Sequence, residues 1–161
     1  MKNRSRKNLT RPQRGRQRRD LSRGSVKLKS TLETYCYDQL REAKIDFEYE
    51  SETFSLMDSF RYPGIYHKST KGNDVLIDAT NKVVLSIKYT PDFISHKDKF
   101  IIETKGYVPS QHTFPLRWKL FLNYLNDNNM SDYMLFIPKN KKQIDRAIEI
   151  IKRNIDDRSK A

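Results

Sequence analysis

Asp92, Glu103 and Lys105 are the residues of this chain whose types and spacing could do chemistry. Glu103 and Lys105 lie two apart in the run Phe100–Lys105 (FIIETK), which reads as a strand, so both side chains leave the same face. Asp92 follows Pro91 near the end of another strand-like run, Val83–Phe93 (VVLSIKYTPDF). A turn at Ser95–Lys99 (SHKDK) lets the two runs pair antiparallel and sets Asp92 beside Glu103. Two carboxylates and an ammonium then converge at one end of a sheet. Paired hard oxygen ligands facing solvent suit Mg²⁺, which keeps several waters and completes its shell from phosphate. A metal there lowers the pKa of a water and neutralises charge on a reacting phosphodiester. The lysine would position or deprotonate the water, or hold the scissile phosphate. Taken singly, each residue also has an ordinary reading: Asp92 as a turn cap, Glu103 and Lys105 as a solvated strand face.

Several elements must hold these groups. Ser30 and Glu33 form an S-x-x-E capping box ahead of apolar residues at helical spacing: Leu32, Cys36, Leu40 and Ala43. Asp46–Glu50 (DFEYE) alternates as a strand, and Thr53–Met57 continues it or pairs with it. Residues 58–82, with Pro63, Gly64, Gly72 and Asn73, read as a long loop or an irregular hairpin, with a short strand at Asp74–Asp78. A helix is predicted over Phe114–Asn126, burying Leu116, Leu120 and Leu125. Asp132–Pro138 reads as a strand. Lys141–Asn154 reads as an amphipathic helix with Ile144, Ala147, Ile148 and Ile151 inward. The order predicts an α/β or α+β layer fold with a mixed sheet flanked by helices, over residues 30–157.

Charge divides the 161-residue chain, whose formal net charge is +12. Residues 1–29 carry 12 Lys/Arg against Asp20, whereas the remainder carries 20 Lys/Arg and 19 Asp/Glu. The first part reads as a disordered basic arm, too poor in apolar surface to offset chain entropy. Arg11, Arg14, Arg16, Arg18, Arg19, Arg23 and Lys27 are its candidates for nucleic-acid contact. Such contacts release counterions and give salt-sensitive, sequence-independent affinity. Arg117 and Lys119 flank Trp118 on the predicted second helix, a core tryptophan between two candidates for the DNA backbone. Lys88, Lys139, Lys141 and Lys142 are weaker candidates. His67, His96 and His112 read as surface residues, and Cys36 as small core; neither residue type has metal-site spacing. No apolar run approaches a membrane span, and the N-terminus lacks the apolar region of a secretory signal. The expectation is a cytoplasmic protein that meets a polyanion and needs no small-molecule cofactor.

Pro91-Asp92 followed by Glu103-Thr104-Lys105 resembles the PD-(D/E)XK nuclease motif. The runs TLETYCYDQLREAKIDFEYE, YTPDF and FIIETKG further resemble the phage endonuclease I family of Holliday-junction resolvases, over about residues 30–137. The resemblance implies a restriction-endonuclease-like core. It implies Asp92 and Glu103 as metal carboxylates, the Thr104 backbone carbonyl as a further ligand, and Lys105 as the catalytic lysine. Glu33 would be an additional acid of the site, completing a second metal position or orienting the water. Two Mg²⁺ or Mn²⁺ ions per site and an intertwined homodimer cutting four-way DNA junctions are implied in the same way. The chain departs from the family pattern in its longer connection over residues 51–88 and in its basic N-terminal arm. Two rival readings keep other functions open: a nuclease nicking ordinary duplex DNA, and a catalytically silent nucleic-acid-binding protein.

Overall fold

The computed structural model describes residues 21–70, 72, 74–106 and 113–160. The candidates Arg11, Arg14, Arg16, Arg18 and Arg19 lie outside the described residues, as does His112. The expectation of disorder up to residue 29 does not hold for its described part. Ser22–Arg23 (β1) and Val26–Lys27 (β2) pair as a tight antiparallel hairpin. Gly24 occupies its turn at φ 62°, a left-handed conformation that glycine adopts without a Cβ penalty. Arg23 donates to both carboxylate oxygens of Asp38 at 2.7 Å, and Leu28 is buried. Composition averaged over a basic segment does not reveal such anchors.

Thr31–Glu42 (α1) starts at Ser30, whose hydroxyl accepts from the Glu33 N–H at 3.1 Å. Such a cap contributes about 1 kcal/mol. Cys36 and Leu40 are fully buried on the inward face. Glu48–Tyr49 (β3) follows. Three nested ladders come next: Phe54–Met57 (β4), Phe60–Arg61 (β5) and His67–Ser69 (β6) run outward. Leu76–Asp78 (β7), Val83–Val84 (β8) and Ile87–Tyr89 (β9) return. The pairs β4–β9, β5–β8 and β6–β7 are all antiparallel, so residues 54–89 form one interrupted two-stranded ribbon. Of the alternatives for residues 58–82, the irregular hairpin is found, and the expected short strand is β7. Thr53–Met57 pairs with β9 and not with the Asp46–Glu50 strand.

Val83–Phe93, expected as one strand, is broken. Its first parts are β8 and β9 of the ribbon, and Phe93–Ser95 (β10) belongs to another sheet. Pro91 sits at the break, where its missing N–H forfeits no ladder bond. Phe100–Ile102 (β11), Thr113–Asp127 (α2), Met134–Phe136 (β12) and Lys141–Lys160 (α3) complete the chain. The central sheet has the order β12-β11-β10-β3. β10 is antiparallel to β11 and β3, whereas β11 and β12 are parallel and require a crossover, which α2 provides.

Strand alternation divides the core. Phe93, Phe100 and Ile102 pack with Cys36, Leu40, Ile144, Ile148 and Ile151, which places α1 and α3 over one face. Ile94 and Ile101 pack with Phe54, Tyr89, Phe121 and Leu125, which places α2 and the ribbon base against the other. The four expected inward residues of α3 are all buried. In α2 the expectation is half right: Leu125 is buried, but Leu116 is 59% exposed and Leu120 only half-buried. Phe114, Trp118, Phe121 and Leu125 make the inward stripe, because large rings fill the space beside Phe54 and Tyr89. The fold is mixed α+β. Among the described residues, no helix is long and apolar enough to cross a membrane.

Candidate active site

The β10–β11 register pairs Phe93 with Ile102, so the preceding Asp92 lies beside the following Glu103. Past Ile102 the chain keeps its strand course. Glu103 N–H donates to Phe136 O at 2.9 Å and Lys105 N–H to Pro138 O at 3.0 Å. Alternation therefore holds for Glu103 and Lys105, whose carboxylate and ammonium form an ion pair through Oε1. The other Glu103 oxygen, Oε2, accepts from the Asp92 N–H at 3.3 Å. Asp92 Oδ2 accepts twice from Thr104, from its N–H at 2.7 Å and its hydroxyl at 2.6 Å. The Asp92 carbonyl accepts from Glu50 N–H at 2.9 Å, tying the site to the end of β3. Lys105 Nζ also lies 4.5 Å from the centroid of the Phe114 ring on α2, a cation–π contact. The three residues expected to converge do so, from a break between two sheets and one strand end.

These groups open on a cleft of about 440 Å³, shared with Glu33, Thr104, Lys29, Lys88 and Arg117. Glu103 is only 3% exposed. Burial, together with the Glu103 charge, pushes the Asp92 carboxyl up to about 7, against the opposing pull of its two Thr104 hydrogen bonds. Glu33 adds a smaller push in the same direction. A folded-state pKa above the unfolded value means that the folded protein binds the extra proton. Its stabilisation is complete below the unfolded pKa and is lost as pH rises through the folded one. The metal-free protein is therefore expected to melt at a higher temperature at about pH 5 than at about pH 8. Asp92→Asn should flatten that dependence. Calorimetry across the range checks this, and a wild-type melting point that rises over the interval refutes it.

Glu33 is brought into the same cleft but is 7% exposed and already engaged. Its Oε2 accepts from the Lys29 N–H at 2.8 Å and from the Tyr49 hydroxyl at 2.6 Å. The return bond of the expected capping box thus goes to Lys29, one residue before the cap. Thr104 borders the cleft and is buried. Arg117 lines it and Lys119 is exposed elsewhere on α2. Lys27 is exposed on β2, but Arg23, expected at DNA, holds Asp38 with its guanidinium. His96 bridges the Tyr133 hydroxyl at 2.7 Å and Glu52 at 3.0 Å, away from the carboxylates. Tyr35 donates to Asp145 and Tyr37 packs edge-on against Phe47, both structural roles.

Lys29, Glu50 and Tyr89 are among the lining residues that were not anticipated as part of a site. Lys29 and Glu50 are ion-paired, which raises the lysine pKa. Glu50 has φ 45°, a left-handed backbone that is uncommon for such a residue and tends to occur at functional sites. A sequence signal existed for Lys29, which directly precedes the helix cap; Glu50 carries none.

Among the described residues, no group of three or more His, Cys, Asp or Glu side chains is set to hold a metal ion unaided. Two adjacent carboxylates short of positive charge nonetheless fit a hard cation that takes its remaining oxygens from water and phosphate. Burial, and after it the Glu103 charge, raise the Asp92 pKa, and a cation beside the two carboxylates would offset both. No family model, curated protein or solved structure matches this chain.

Proposed function

We propose that this protein is a Mg²⁺- or Mn²⁺-dependent endodeoxyribonuclease with a PD-(D/E)XK core of the phage endonuclease I type, acting on branched DNA. One observation carries the reading: Asp92, Glu103 and Lys105 meet at a single cleft bordered by further cations. Asp92 and Glu103 would hold the metal, with the Thr104 carbonyl as a further ligand and Glu33 at a second position. A bound divalent ion supplies charge neutralisation at the phosphate and a more acidic water. Lys105, tied to Glu103 and laid against Phe114, would hold the scissile phosphate. Lys29, Lys88 and Arg117 ring the cleft and suit the flanking backbone phosphates. Hydrolysis would leave a 5′-phosphate and a 3′-hydroxyl, as the resemblance implies.

A homodimer fits the ribbon. Ile65 is 85% and Leu85 78% exposed, and Tyr62, Val75 and Leu76 are also exposed along it. Exposed apolar side chains along one element suit a contact surface, and a second copy would cover them. The N-terminal basic arm would add salt-dependent affinity. The test uses a labelled four-way junction, a duplex and a single strand of matched length, each in Mg²⁺ or EDTA. Cutting of the junction alone, lost in EDTA, is the expected result. Equal cutting of duplex would keep the chemistry and remove the junction preference. Binding with no cutting in Mg²⁺ or Mn²⁺ would leave only a nucleic-acid-binding protein.

A further inference from the structure

Tyr89 ends β9, three residues before Asp92, and is 6% exposed. Its ring is fixed by Phe121, at a centroid separation of 4.6 Å, and by Trp118, at 6.1 Å. Its hydroxyl is hidden from solvent and lies beside the Glu103 carboxylate without completing a hydrogen bond of good geometry to it or to any other group. Buried hydroxyls are almost always paired, and an orphan needs a reason. The other such group among the described residues, the Asn154 side-chain oxygen, lies on α3 and lines no cleft that contains the carboxylates. Tyr89, by contrast, lines the same cleft as Asp92 and Glu103.

We infer that Tyr89 is a positioning residue, whose hydroxyl donates to the Glu103 carboxylate when that group turns to hold a divalent cation. In the metal-free arrangement Glu103 spends its oxygens on Lys105 and on the Asp92 N–H. A cation between Asp92 and Glu103 would displace the ammonium and leave a Glu103 oxygen to accept from the Tyr89 hydroxyl. Partners of this kind orient ligating carboxylates, and their removal typically weakens metal affinity or activity about 10–100-fold. The inference rests on the nuclease reading above, because it needs the metal at that pair.

The experiment compares full-length wild type, Tyr89→Phe and Tyr124→Phe. Tyr124 lies in the same aromatic cluster and does not line the cleft, so it controls for loss of a hydroxyl from that core. Mn²⁺ affinity is read by titration calorimetry, melting temperature without metal by scanning calorimetry, and kcat and KM on the junction substrate in Mg²⁺. For Tyr89→Phe the expected results are an unchanged or higher metal-free melting temperature, Mn²⁺ affinity weaker by about 10-fold, kcat lower by a similar factor, and KM within about twofold. Tyr124→Phe should match wild type in Mn²⁺ affinity. Wild-type Mn²⁺ affinity in Tyr89→Phe overturns the inference while leaving the nuclease reading intact. A metal-free melting temperature lowered by several degrees also overturns it, by making the hydroxyl a structural partner. Wild type that binds no Mn²⁺ removes the metal reading and this role with it.

Discussion

Asp92→Asn is expected to reduce divalent-dependent DNA cleavage by about 10³-fold or more, while leaving the metal-free protein as stable as wild type, or more so, at about pH 8. The two effects have one cause. The Asp92 carboxylate supplies negative charge next to Glu103, where burial makes that charge unfavourable until a cation arrives. Asparagine keeps an oxygen that can accept from the Thr104 N–H and hydroxyl, so the local hydrogen bonds survive. It loses the charge that would hold a metal. Lewis-acid stabilisation worth several kcal/mol corresponds to about three powers of ten in rate. Single-turnover cleavage of the junction, with thermal unfolding of the same samples, checks both halves. Retention of activity within about tenfold of wild type would falsify the assignment of Asp92 as a metal carboxylate.

Phe93→Ala has the largest expected effect on stability, about 3–5 kcal/mol in urea denaturation. The ring is fully buried between the central sheet and α1, with its centroid 5.3 Å from that of Tyr49 and 5.8 Å from that of Phe47. Truncation removes the aromatic contacts and leaves a void bounded by a sheet that cannot collapse into it. Such a loss is a large part of the stability of an ordinary domain. The neighbouring Asp92 would lose its fixed direction, so activity should fall even in the fraction that stays folded. Leu116→Ala provides the contrast. Leu116 is as apolar as a core residue, yet it faces solvent, and its truncation should change stability by less than about 0.5 kcal/mol.

That contrast also marks where the sequence stops being legible. Helix α3 could be read because its isoleucines and alanine repeat at helical spacing against charged neighbours, leaving one possible face. Helix α2 is apolar on more than one side, so the pattern alone offered a leucine stripe where packing against Phe54 and Tyr89 selects an aromatic one. The Asp92–Glu103 pairing was legible since turn length and alternation dictate it. The ribbon was less so: its strands are two to four residues long, and β5, β6 and β7 are exposed at every position, so no apolar alternation marks them. Lys29 and Glu50 join the cleft through a helix cap and a left-handed backbone, and neither is a property of spacing. The N-terminal hairpin was hidden by the charge of the segment that contains it.

The nested ribbon also has a consequence for how the chain reaches its fold. Pairing Tyr49 with Phe93, which brings Glu50 to Asp92, joins segments far apart in sequence. Closing that span in one step would carry the entropy of a long flexible loop. The ribbon divides the task, because β6–β7 can form first, then β5–β8, then β4–β9, each closure shortening the loop left for the next. By the time β3 meets β10, the intervening chain is already a hairpin whose two ends emerge side by side. On that route the rate of assembling the cleft would follow local zipping more than the length of the ribbon. Lengthening the ribbon tip would alter closure by only about 0.6 kcal/mol per doubling of the loop. A longer or shorter outer ribbon would leave Asp92 beside Glu103, because that pairing is fixed at the ribbon base and by the β10–β11 register.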